Sequence, residues 1–113
     1  QRQMCIRDRL LIDQAIMECM TNCARHAGGT RVFVKITNNK VLCKVQITNN
    51  GKKPAEGSQE GGGLTSLRKT VEREGGKMQV IFSPEFELIL LLSHEKDREI
   101  KSSEEVTVKI LNS

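Results

Sequence analysis

Twice along this chain an apolar stripe at helical spacing stops at two adjacent glycines and gives way to residues that alternate. Leu11, Ile12, Ile16, Cys19, Met20, Cys23 and Ala27 predict a helix over 10–27, ended by Gly28 and Gly29. Leu64, Leu67 and Val71 predict a second helix from about 63 to 74, ended by Gly75 and Gly76. After the first glycine pair, "RVFVKIT" and "VLCKVQI" alternate around the turn "NNK". Val32, Val34 and Ile36 share one face of the first run, and Val41, Cys43, Val45 and Ile47 share one face of the second. The two runs should pair as an antiparallel hairpin. After the second glycine pair, "KMQVIF" and "EFELILLL" flank a turn at Ser83-Pro84. Each helix has an apolar side that needs a sheet to cover it. The expectation is an α+β fold, a two-layer α/β sandwich whose mixed, largely antiparallel sheet carries the helices on one face.

The 113 residues suit one domain with a modest core. No run approaches the roughly 18 consecutive apolar residues of a membrane span, so no direct membrane contact is expected from this segment. The net charge is +4, yet the cations are interleaved with glutamates, and the only aromatics are three phenylalanines. A nucleic-acid binder would gather its cations into a stripe with stacking aromatics, so no nucleic-acid partner is expected. The basic balance reads as a solvated surface that also attracts an anionic ligand. The four cysteines match no zinc spacing, and Cys19 and Cys23, one helical turn apart, are poorly placed for a disulfide. Free structural thiols point to a reducing, cytoplasmic setting, with a membrane-anchored parent allowed. Residues 1–9 read as a non-native or truncated leader, 10–93 as the domain, and 94–113 as a polar tail or linker whose last stretch could add an edge strand.

The first helix carries more chemistry than a core helix needs. At about 100° per residue, Glu18, Asn22, Arg25 and His26 form one contiguous arc bordering the apolar stripe. A solvated face with Arg and His near the negative helix end would account for them alone. Further on, residues 49–63 hold almost nothing apolar, and "GGG" at 61–63 directly precedes the second helix. Glycines let a backbone approach a ligand closely, and free N–H groups at a helix start bind phosphate. The stretch fits neither the P-loop nor the dinucleotide fingerprint.

Three motifs in order are more specific. "E-x-x-x-N-x-x-R-H-A" at 18–27, "N-N-G" at 49–51 and "GGGLTSLRKTVEREGG" at 61–76 resemble the N, D-x-G and G2 boxes of sensor histidine kinases. The resemblance, over about 10–93, is to their ATP-binding domain, of the GHKL superfamily and of the type paired with LuxR-family response regulators. It implies the Bergerat-type sandwich and binding of ATP with Mg²⁺. Asn22 would ligate Mg²⁺ through its amide oxygen, as a hard cation prefers. Glu18 would be the catalytic residue, orienting or deprotonating a metal-bound water or the nucleophile. Arg25 and His26 would face phosphate oxygens. Backbone N–H groups of Gly61, Gly62, Gly63, Leu64 and Thr65 would hold the phosphates, with Asn49 and Gly51 on the base side. Residues 52–60 would form a lid, with Lys52 and Lys53 as further phosphate contacts.

Two positions depart from the pattern. Asn49 stands where relatives carry Asp, which accepts a hydrogen bond from the adenine amino group. Losing that charge should cost about 1 kcal/mol, leaving ATP preferred with less discrimination. Lys53 replaces a glycine common in relatives. The resemblance also implies an acceptor histidine on a separate dimerisation domain, and a response regulator downstream. Neither His26 nor His94 reads as that acceptor. The rival expectations are an anti-sigma-type serine kinase and a degenerate nucleotide-binding interaction module.

Overall fold

The computed structural model describes residues 5–55, 57, 60–93 and 103–109. Helix α1 spans Ile6–Asn22 and continues as a π-helical turn, Cys23–Ala27. Strands β1 (Arg31–Asn38) and β2 (Leu42–Asn49) follow, then helix α2 (Gly62–Arg73), β3 (Lys77–Ile81), β4 (Glu87–Ser93) and β5 (Ser103–Lys109). The domain is α+β. Its two helices pack on a four-stranded antiparallel sheet in the order β3-β4-β2-β1, and β5 pairs antiparallel with the outer side of β1. Every pairing in the sheet is antiparallel, so no parallel pair makes it mixed among the described residues.

The alternation in the strands becomes a single buried face. Val34 pairs with Ile47, which pairs with Leu88; Val45 pairs with Leu90, which pairs with Met78. All of these are buried, and Leu11, Ile12, Ala15, Cys19 and Cys23 of the first helical segment and Leu64, Leu67 and Val71 of α2 pack over them. Burial of such side chains contributes about 1.5–3 kcal/mol each. The continuous "LILLL" run splits by parity: Leu88, Leu90 and Leu92 are buried, while Ile89 and Leu91 are half-buried on the opposite face.

Three boundaries moved. The helix begins at Ile6, inside the segment read as leader, because Cys5 Sγ accepts the Asp8 N–H at 3.4 Å and closes the first turn. Arg7 also pairs with Glu74 at 3.1 Å, tying the start of α1 to the end of α2. Val41, expected inward, is 69% exposed, since Asn39 Oδ1 accepts the N–H groups of both Val41 and Leu42 and holds the hairpin turn there. Part of the expected tail is strand β5, while 94–102 and 110–113 lie outside the described residues.

Candidate functional site

One end of the domain gathers the C-terminal end of the first helical segment, the end of β2, the start of α2 and the β3–β4 turn around a cavity of about 730 Å³. That volume suits a drug- or nucleotide-sized ligand. Its first wall is the polar arc of α1. Glu18, Thr21 and Asn22 line it, followed by Arg25, His26 and Ala27 from the π-helical turn. The Gly28 N–H bonds Cys23 O, which also accepts the Gly29 N–H at 3.1 Å. This wider turn replaces the α-helical end expected from the wheel. Such turns recur at functional sites because they reset side-chain directions locally. Arg25 and His26 still reach the cavity, on the exposed side of the turn.

The second wall is the start of α2. Gly61 sits at the N-cap with no side-chain cap, and the Thr65 N–H makes an intrahelical bond to Gly61 O at 3.0 Å. That leaves the first-turn N–H groups of Gly62, Gly63 and Leu64 as the unpaired donors every helix start carries. A Cβ on Gly62 would meet open space, whereas one on Gly63 would fall inside the Glu18 carboxylate. Glu18 therefore lies against the positive end of α2, where an anion is stabilised. The two elements share a hollow, and the Glu18 carboxylate packs against the helix start at Gly63.

The third wall is "NNG". Asn49 lines the cavity and its Oδ1 accepts the Gly51 N–H at 2.7 Å. Asn50 turns away: its Oδ1 accepts the N–H groups of Thr30 and Arg31, both at 2.9 Å. Gly51 is packed on Ala27, whose carbonyl oxygen would lie 2.8 Å from any added Cβ. The Lys52 N–H bonds that same carbonyl at 2.8 Å, which sends Lys52, Lys53, Pro54 and Ala55 along the cavity rim. Of the expected lid, residues 56, 58 and 59 lie outside the described residues. At its far end Glu60 is held by Arg68, whose guanidinium donates to both carboxylate oxygens and, at 2.6 Å, to Met78 O.

Among the residues expected from sequence, Glu18, Asn22, Arg25, His26, Asn49, Gly61, Gly62, Gly63 and Leu64 all line this one cavity. Gly51 and Thr65 do not: Gly51 packs the backbone beneath it, and Thr65 is an exposed residue of the first turn of α2. His94 falls outside the described residues. No protein-family model matches the chain.

Sequence reasoning missed Phe82 and Phe86, which also line the cavity, with ring centroids 5.8 Å apart in an edge-on arrangement. Their signal was parity. Continuing the registers Ile47↔Leu88 and Ile81↔Glu87 past the strand ends sets Asn49, Phe86 and Phe82 in one row. All three share the parity of the buried residues Ile47 and Leu88, so the row faces the helices. The lining of the cavity thus combines aromatic rings, amides, cations and the start of a helix. Among the described residues, Glu18 is its sole acidic lining residue.

Cys19, Cys23 and Cys43 are buried in the core. Burial pushes Cys19 up to about 12, with the Glu18 carboxylate and Cys23 adding to the shift. Burial also raises Cys43 to about 12, helped by Asp8. Cys23 is raised by burial and held back by its backbone hydrogen bonds at Gly29 and Arg31. Thiols held in this way are inert. All four cysteines are free, and among the described residues no three His, Cys, Asp or Glu side chains converge as a metal cage.

Proposed function

We propose that this chain is the nucleotide-binding catalytic domain of a sensor histidine kinase, which transfers the γ-phosphoryl group of a magnesium–purine nucleoside triphosphate, ATP in the family its motifs resemble. The observation that carries the reading is the convergence on one cavity of the Glu18–Asn22 face and the glycine start of α2, forty residues apart in the chain.

The phosphates belong at the α2 end. There the Gly62, Gly63 and Leu64 N–H groups supply donors that need no reorganisation. Arg25 and Lys52 line the same cavity and bring positive charge to it. Asn22 is the residue to hold Mg²⁺, since an amide oxygen is a hard donor and this ion commonly takes only one or two protein oxygens. When bound, the ion neutralises charge on the phosphate oxygens. Glu18, within reach of the same helix start, takes the proton from an incoming imidazole. The imidazole nitrogen then forms its bond to the γ-phosphorus as the bond to the β–γ bridging oxygen breaks, and the diphosphate departs. The imidazole comes from a separate dimerisation domain, and the phosphoryl group passes on to a response-regulator aspartate. Among the described residues no helix is long and apolar enough to cross a membrane.

Calorimetric titration with Mg-ATP tests this. Binding should be measurable at millimolar nucleotide, should weaken when Mg²⁺ is chelated, and should fall at least tenfold in Asn22→Ala, the loss of one charge-assisted contact. No binding by the folded chain defeats the reading. So does stable labelling of the chain's own histidines from γ-labelled ATP.

A further inference from the structure

We infer that Asn50 is a positioning residue for the cavity: its carboxamide locks the exit of the π-helical turn against the end of β2, and so sets the directions of Arg25 and His26. The inference goes beyond the nucleotide reading above, which supplies only one of its two readouts.

Asn49, Asn50 and Gly51 share one turn but not one task. Asn49 lines the cavity and Gly51 packs on Ala27. Asn50 serves the start of β1. Its backbone N–H donates to Arg31 O at 3.2 Å. Its Oδ1 accepts the N–H groups of Thr30 and Arg31, both at 2.9 Å, and its Nδ2 donates to Thr30 Oγ1 at 3.2 Å. The β1–β2 ladder ends at the pair Val32↔Asn49, so this carboxamide carries the pairing onward by a side chain.

What it grips is the way out of the π-helical turn. There Cys23 O accepts from Gly28, five residues on, where an α-helical ending would pair it with Ala27. The wider winding is the rarer one, so its end needs holding. The Lys52 N–H holds Ala27 O at 2.8 Å, and Asn50 holds the next residues, Thr30 and Arg31. Gly29 shows how closely the parts fit. A Cβ there would lie 2.5 Å from Cys23 Sγ, 2.8 Å from Asn50 Oδ1 and 2.9 Å from the Gly51 Cα. The carboxamide, the first residue of the turn and the backbone of "NNG" thus leave no room for a methyl group between them. Arg25 and His26 lie within Cys23–Ala27 and line the cavity. Rewinding that segment to an α-helical ending would turn both to new directions.

Amide shift mapping and calorimetric titration of the full chain test this with two variants. Asn50→Ala deletes the carboxamide, and Asn50→Asp keeps the oxygen that accepts from Thr30 and Arg31. Asn50 is exposed and outside the core, so both should fold. Without nucleotide, Asn50→Ala should move the amides of Cys23–Ala27 together with Thr30 and Arg31, while Asn50→Asp should leave Cys23–Ala27 in place. Mg-ATP should bind Asn50→Ala about tenfold more weakly. Asn50→Asp should recover most of that affinity at about 0.15 M salt, where its added charge is screened. The loss should also shrink to about threefold or less when Arg25 and His26 are both alanine, because a positioning residue acts through the groups it positions. Unmoved Cys23–Ala27 amides in Asn50→Ala overturn the inference. So does a lowered melting temperature with unchanged affinity, an Asn50→Asp turn as displaced as that of Asn50→Ala, or an undiminished loss without Arg25 and His26. An Asn50→Ala chain that no longer folds overturns it too, since Asn50 would then serve the whole domain. Failure of the wild-type chain to bind Mg-ATP overturns the nucleotide reading alone, and the amide shifts still decide the role of Asn50.

Discussion

Replacing Gly63 by alanine isolates the contact on which the site depends. Gly62 and Gly63 are neighbours in the first turn of α2, and both are exposed. On helix propensity alone, alanine at either position should stabilise by up to about 0.5–1 kcal/mol. The surroundings differ. Around Gly62 an added Cβ finds nothing within 4 Å, whereas at Gly63 it lands on the Glu18 carboxylate. The carboxylate is the far end of a flexible side chain, so it moves aside and gives up its place at the helix start. That place contributes about 0.3–1 kcal/mol. Gly62→Ala should therefore raise stability, and Gly63→Ala should leave it near the wild-type value. The assay is denaturant unfolding at low ionic strength, with midpoints compared at constant m-value. Two controls sharpen it. The gap between the variants should shrink at high salt, as screening predicts. It should also vanish in a Glu18→Ala background, which closes a double-mutant cycle on the contact. Equal stabilisation by both alanines, or a gap that persists without Glu18, refutes the placement of Glu18 on α2.

Other consequences follow from the same geometry. Arg68→Ala removes the donors that hold Glu60 and Met78 O together, and should cost about 1–3 kcal/mol; hydrogen exchange should quicken at Glu60–Leu64 before it does so in the sheet. Cys19 and Cys43 are raised from 9.0 to about 12, so they stay protonated when folded at a pH where the unfolded chain has ionised them. Their contribution is fully present below about pH 9 and is lost as pH rises through the folded values, at about 1.4 kcal/mol per pH unit for each thiol. Unfolding free energies at pH 8 and pH 10 measure this, and the slope should flatten in a Cys19→Ala, Cys43→Ala double variant. Cys19, Cys23 and Cys43 should also resist alkylation at pH 8 until the chain is unfolded.

The parts of the fold legible in sequence were those set by periodicity. The stripe from Leu11 to Cys23 and the alternation of Val32, Val34, Val45 and Ile47 each follow from burial of one face, so the two helices and the antiparallel hairpin could be read directly. Boundaries were less legible where polar side chains decide them. Asn39 captures two backbone N–H groups and delays β2 by one residue, leaving Val41 outside. Cys5, an unusual cap, starts α1 early. The π-helical turn at Cys23–Ala27 leaves no mark in a hydrophobic pattern, because it changes the winding without changing which residues are apolar. At the site, Glu18, Asn22 and the glycines were legible as chemistry, yet their meeting is long-range and invisible to spacing. Phe82 and Phe86 were missed because a turn was read at Ser83-Pro84 without carrying the register across to Asn49. The close packing of Gly51 on Ala27 likewise leaves no mark in the spacing.

Backbone NMR shift mapping with a non-hydrolysable magnesium–purine triphosphate tests the shared cavity most directly. The account predicts that amides of Glu18–Ala27, of Asn49–Lys53 and of Gly61–Thr65 move together along one binding curve that requires Mg²⁺. Shifts confined to one of these segments, or spread over the outer sheet face at Lys35, Lys44 and Gln79 instead, would contradict it.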